Sequence, residues 1–423
     1  MTFSVTISVN GQTELICSAI RSVLNQKNCT SKAEVIVIDD ARSDAVRKAV
    51  EAFGLSYVRY YETPDGDPAK SAQECYNRST GDYVMWMCYD DFLLPYAFRV
   101  FEEALARTGA EVATGLHLYY YDSAYPKSMF RNTAHLIHTK HYDGSYEMLD
   151  LNAIRRTALR MPPNTGDPFW FHLHLVSTMF SRNLLERVQE RTGGIVVPNL
   201  QNNDSQQVMI HALARSAVGI GLPLSIAGRL GISFTQEFYL PKRVAWRKRY
   251  QIRRSPVTGG TYINHILEAI LSGKERVEKE LAGIEYSHVV LLRAYVKDLV
   301  TVEFPLSEMR RLWREAENAA RQLKGVDRKE LLLLIKTERR LSYALHPFKT
   351  FGLWKHIRKF IVPNRSILAT IRCSFRQLWS SNASYRRRNV IIPLEQYGVS
   401  NIEALAAKLP EIVLKETGKT LPR

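Results

Sequence analysis

No uninterrupted run of about eighteen apolar residues occurs in the chain, which removes a membrane-spanning helix from the readings its sequence supports. Met1 leads straight into an apparent strand, with no charged leader and no signal-peptide core, so a cytosolic protein is the expectation. Cysteine is scarce. Cys17, Cys29, Cys75, Cys88 and Cys373 are scattered, odd in number and without paired metal-ligand spacing, which suits free thiols in a reducing compartment. There is no internal repeat, no low-complexity tract and no Ser/His/Asp or Cys/His arrangement for covalent catalysis. Acid is absent from residues 341 to 390, where ten Lys or Arg are interleaved with Phe348, Phe351, Trp354, Phe360, Phe375 and Trp379.

That last absence belongs to a wider asymmetry. The formal charge is +16 over 423 residues, but residues 1 to 230 carry 22 basic against 24 acidic side chains, and 231 to 423 carry 36 against 18. A nearly neutral half and a strongly basic half do different jobs. A basic stretch with aromatics favours an anionic membrane surface or nucleic acid. Its aromatics fall on helical spacing and no recognised nucleic-acid module is present, so nucleic acid is the less favoured partner. Leu353, Trp354, Ile357, Phe360 and Ile361 share one face of a helix whose other sides carry Lys355, Arg358 and Lys359, the pattern of an interfacial helix. Dimerisation through the helical region is the alternative use of these residues.

What is present, most informatively, is two apolar runs that end on paired carboxylates: Glu34-Val-Ile-Val-Ile-Asp39-Asp40 and Tyr83-Val-Met-Trp-Met-Cys-Tyr-Asp90-Asp91. A short β-branched apolar run reads as a strand buried on both faces of a parallel sheet. Acids are tolerable at the carboxyl end of such a strand, where an open α/β sheet leaves its ligand crevice. Four carboxylates aimed at one crevice suit a divalent cation, and the cation a phosphorylated ligand.

The rest of the first half alternates in the same way. Strands are expected at Phe3 to Asn10, Ala33 to Asp39, Ser56 to Tyr61, Asp82 to Met87 and Ala110 to Tyr119. Helices are expected at Thr13 to Gln26, from a cap at Ser43 or Asp44 to Phe53, from the loop Thr63 to Pro68 to about Thr80 with Gly81 closing it, and at Tyr96 to Thr108. Such βαβ units specify a doubly wound, mostly parallel sheet. From Tyr121 to about Asp167 the pattern loosens into a loop holding His135, His138 and His141, and order returns at Phe169 to Glu190 and in a helix carrying Asp204 to Arg215. Beyond Tyr262 the chain reads as almost wholly helical. The expected domains are residues 1 to 235, with a nucleotide half to 120 and an acceptor half from 121, and a basic helical region from 236 to 423.

Val5 to Asn10, Ser22-Val-Leu-Asn-Gln26, Glu34 to Asp40 with Ser43-Asp44, and Gly81 to Asp91 with Pro95 together resemble the family 2 glycosyltransferases of GT-A fold. The resemblance spans roughly residues 1 to 230 and lies in the order and spacing of several blocks. It implies an inverting transfer of a sugar from a nucleotide-sugar donor to a saccharide or lipid-linked acceptor, in bacterial surface polysaccharide synthesis. It implies that Asn10, Asp39, Asp40, Lys70 and Asp90 bind the nucleotide sugar, with Asp39 reading the base and Asp40 near the ribose. A turn cap and a solvated charge are equally open readings of Asp40 and Lys70. In the metal motif Cys88 replaces the usual first acid, leaving Asp90, assisted by Asp91 or with Asp91 anchoring the loop, to hold Mg²⁺ or Mn²⁺.

Asp204, in Pro198-Asn-Leu-Gln-Asn-Asn-Asp204, matches the family's acceptor-side base, and it is the only acid between Glu190 and Glu237. An N-cap role for the following helix is compatible with that. His172 and His174 are two apart and read as a packed pair or as lining for the acceptor pocket. The competing function is a catalytically silent protein of the same fold, acting as a scaffold or nucleic-acid binder through its basic half.

Overall fold

The computed structural model describes residues 1–63, 68–125, 130–159, 174–196, 202–230, 252–258, 262–284, 286–287, 289–301, 306–350 and 389–422. The expected interfacial helix at 353–362, His172, Pro198 and Cys373 lie outside them.

The chain opens with β1 (Thr2–Val9), α1 (Thr13–Leu24), β2 (Lys32–Asp39), α2 (Asp44–Glu51), β3 (Val58–Glu62), α3 (Pro68–Arg78) and β4 (Tyr83–Cys88). β1 pairs in parallel with β2 on one side and β4 on the other, and β2 with β3. Val35 and Val37 are buried on one face of β2 and Ile36 and Ile38 on the other, which is why that strand is apolar throughout, while β1 sets Val5 and Ile7 on one face and buried Ser4 and Thr6 on the other. α1 turns Ile16, Ala19, Ile20 and Val23 onto the sheet, and the Ser43 hydroxyl caps α2 by accepting from Val46 N at 3.4 Å. Gly81 does not close α3, which ends at Arg78. A Cβ on Gly81 would lie 2.8 Å from Ser4 N, so glycine is needed for close approach to β1.

After β4 the pattern changes. β5 (Phe92–Leu93), α4 (Ala97–Thr108) and β6 (Val112–Tyr121) precede β7 (Thr133–Ile137), β8 (Tyr146–Met148), α5 (Leu151–Ala158), β9 (Thr178–Ser181), α6 (Arg182–Thr192), α7 (Asn202–Leu213) and β10 (Ala217–Arg229). The loop expected at 121 to 167 therefore contains two strands and a helix. β10 runs parallel to β6, and shorter antiparallel pairings add β5, β7, β8 and β9 to the sheet.

Two compact units emerge. The first comprises Met1–Ser233, Ser272–Ile284 and Arg388–Arg423, the second Phe234–Leu271 and Glu285–Arg387. α8 (Tyr262–Arg276) has residues in both units, and in the second α9 (Val289–Thr301), α10 (Leu306–Gln322) and α11 (Gly325–Thr350) pack around buried Leu292, Tyr295, Leu299, Leu312, Trp313 and Leu331. Arg388–Arg423, placed by the sequence with the basic helical region, lies in the first unit instead. There β11 (Asn389–Pro393) pairs antiparallel with β7, and α12 (Ile402–Thr417) buries Leu405, Leu409, Ile412 and Val413 against β5 and β10. An apolar helix face and an open strand edge account for each other: the segment covers what the sheet would otherwise expose. No described helix is long and apolar enough to cross a membrane.

Candidate functional site

β1, β2 and β4 are parallel neighbours, so their carboxyl ends open on one side of the sheet. There the two acidic pairs meet. Asp39, fully buried, is saturated: Oδ1 accepts from Gly11 N at 3.3 Å and Ala41 N at 3.0 Å, and Oδ2 from Ser43 N at 2.7 Å and the Tyr60 hydroxyl at 3.2 Å. Four donors match the four lone-pair positions of a carboxylate. Asp39 ties the β1 and β2 loops together. Its neighbour Asp40 has an Oδ1 that is buried with no hydrogen-bond partner. Burial raises the Asp40 carboxyl to about 7, a bond from the Asn10 side chain opposes this, and the Asp39 charge adds to it.

At the end of β4 the division is reversed. Asp91 Oδ2 accepts from Cys88 N at 2.8 Å and Oδ1 from Gly228 N at 3.2 Å, which closes the turn and binds it to the end of β10. Burial and the Asp90 charge raise the Asp91 carboxyl, opposed by those two N–H groups and by Arg229. Asp90 is 8% exposed. Ligand atoms of Cys88, Asp90 and Asp91 lie within 4.8 Å of one another. Tyr89 adjoins both pairs: burial raises its phenol, followed by the charges of Asp90, Cys88, Asp40 and Asp91.

These donors fit a hard divalent cation through Asp90. Desolvation, reinforced by Asp91 and Asp90, pushes the Cys88 thiol well above its ordinary range, so it stays neutral and is a poor ligand. Asp91 has both oxygens engaged by backbone N–H groups, which makes it the anchor of the loop more than a ligand. A single carboxylate suffices where the phosphates of a bound ligand and water complete the shell.

The remaining expected residues stand on other elements. Lys70 is exposed in the first turn of α3. Asp204 lies in the first turn of α7, 5% exposed, as the third residue of the helix and not its cap. His174 packs against His117 with ring centroids 4.4 Å apart and planes tilted by 42°, and His135 is buried on β7, its imidazole lowered to about 4 by burial. Cys75 is buried and its thiol pushed up to about 12, as expected of a small apolar filler.

Sequence reasoning missed the end of β10. Twelve buried residues precede Arg229, the only charged side chain of the strand. A lone cation closing an apolar run is the counterpart of the acids that end β2 and β4, and that was its available signal.

Residues 4–170 match the sequence model of glycosyl transferase family 2. No curated protein matches the chain. Among solved structures, S. aureus TarS 1–349 in complex with UDP-GlcNAc is 12% identical, covering 83% of this chain and 92% of that one, with a TM-score of 0.48. The mannosyltransferase PcManGT from Pyrobaculum calidifontis, in complex with GDP-Man and Mn²⁺, is 16% identical, covering 84% and 87%, with a TM-score of 0.37.

Proposed function

We propose, from the match of residues 4–170 to the glycosyl transferase family 2 model, that the chain moves a sugar, with inversion, from a nucleotide-sugar donor to a saccharide or lipid-linked saccharide acceptor. The observation that carries this is the crevice at the ends of β1, β2 and β4, where Asn10 and Asp40 stand beside Tyr89, Asp90 and Asp91. Asp40, whose Oδ1 has no partner, accepts from the nucleoside, and Asp39 and Asn10 hold the loop that presents it. Lys70 adds positive charge at the phosphate side.

Asp90 would hold Mg²⁺ or Mn²⁺, which when bound supplies Lewis-acid stabilisation to the leaving diphosphate. Asp204 takes the proton of the acceptor hydroxyl as its oxygen attacks the anomeric carbon. The bond from that carbon to the diphosphate oxygen breaks with its electron pair going to the diphosphate. One displacement gives one inversion, and no second nucleophile is required. Surface polysaccharide synthesis is the setting we propose, with the basic, aromatic 341 to 390 stretch favouring an acceptor at an anionic membrane surface.

Asp204→Asn tests the assignment of the base, because it keeps the shape and cannot take a proton. Transfer is expected to fall on the order of a hundredfold with donor binding little changed. Equal loss of donor affinity, measured by calorimetry with UDP-sugars and GDP-sugars, would place Asp204 at the donor site or in the scaffold.

A further inference from the structure

We propose that Arg229 is a second cation of the diphosphate site, binding the nucleotide's phosphates beside Asp90; this rests on the glycosyltransferase reading above. Position comes first. Gly228 N bonds Asp91 Oδ1, and a Cβ on Gly228 would lie 2.0 Å from the Asp90 carbonyl oxygen. The strand therefore packs directly on the Asp90-Asp91 turn, where a glycine alone fits, and the next residue is fixed at the edge of the acidic cluster.

Charge comes second. The field of Arg229 reaches both Cys88 and Asp91, favouring the ionised form of each. A nucleoside diphosphate brings two or more negative charges to a turn that already holds Asp90 and Asp91. One dication leaves an excess of negative charge, and a guanidinium at the rim offsets it.

Orientation comes third. The guanidinium carbon lies 4.9 Å from the centroid of the Tyr119 ring. On β6, His117, Tyr119 and Tyr121 alternate onto one face, with His117 and Tyr121 centroids 4.8 and 6.1 Å from that of Tyr119. Packed between them, the ring is a fixed platform. A guanidinium lying on a ring face bonds through its planar edge, which is the geometry that grips phosphate oxygens in pairs. Lysine has neither the plane nor the fork.

The test is calorimetric binding of UDP and GDP, and of uridine and guanosine, to the full chain, with Mn²⁺ and in EDTA. Wild type is expected to prefer each diphosphate to its nucleoside even in EDTA. In Arg229→Gln that preference falls tenfold or more with and without Mn²⁺, while nucleoside affinity is unchanged. Arg229→Lys keeps the charge beside Asp91, and with it the fold, and is expected to lose severalfold through the missing fork. An unaltered diphosphate-to-nucleoside ratio in both variants overturns the proposal, and so does equal loss for nucleoside and diphosphate, which would make Arg229 a prop for the turn. A wild type that binds none of the four sinks the glycosyltransferase reading itself and the proposal with it.

Discussion

The acidic pair that ends β2 and the pair that follows β4 are alike in sequence and opposite in use. In Asp39-Asp40 the first carboxylate is spent on three backbone N–H groups and the Tyr60 hydroxyl, and the second keeps a buried oxygen without a partner. In Asp90-Asp91 the second is spent, on Cys88 N and Gly228 N, and the first is the one we assign to the ligand. Order within the pair does not assign the role. The turn does: whichever carboxylate points back into the loop meets the N–H groups that the strand end leaves unpaired. Each pair thus consists of a fastener and a working group, and each fastener ties its strand to a distant piece of chain, Gly11 in one case and Gly228 in the other.

The largest contrast is expected within the second pair. Asp90→Ala should cut sugar transfer by on the order of a hundredfold or more with little change in melting temperature, since its carboxylate serves the ligand. Asp91→Ala should instead cost about 2 kcal/mol of stability by leaving two backbone N–H groups unsatisfied. Denaturant titration and turnover per folded molecule separate the two. Identical behaviour of the two variants breaks the comparison.

A smaller functional and larger structural effect is expected at Asp39. Asp39→Ala strips four donors of their acceptor and should destabilise by about 3 kcal/mol. If it folds as well as wild type yet loses nucleotide binding, Asp39 reads the base after all.

The smallest effect sharpens the comparison through pH. Asp40 has a folded value of about 7 against 3.8, so between those values the folded chain keeps a proton that the unfolded chain has released. Its contribution to stability is therefore lost as pH rises through that window. Asp40→Asn should melt higher than wild type at alkaline pH and no higher in acid. The ionised carboxylate accepts best, so wild-type UDP or GDP affinity should rise severalfold from acid to alkaline pH, and the asparagine variant should lose that slope. A slope that survives in Asp40→Asn belongs to another group.

Much of the first half was legible because its signals are local. β1 and β2 announce themselves by β-branched residues, β4 by a continuous apolar run, and Ser43 by its place before a helix. Strands β7 and β8 were hidden, since β7 is five residues long with His135 at its centre, and β8 is only Tyr146-Glu-Met148. β11 was hidden for another reason. Its partner β7 lies some 250 residues earlier, and nothing within Asn389–Pro393 says which edge it will cover.

The sequence by itself determined the alternating strands and helices of the first half, the two carboxylate pairs at strand ends, and the contrast between a nearly neutral half and a strongly basic one. These are properties of short windows and of composition, which periodicity and residue chemistry read directly. Tertiary structure alone decided which acid of each pair is spent, that Arg229 stands beside Asp91, and that Arg388–Arg423 returns to the sheet. Each of those depends on a donor, a charge or a strand edge contributed by residues far away in the chain, and hydrogen bonds and fields act across space without leaving a mark in either local sequence.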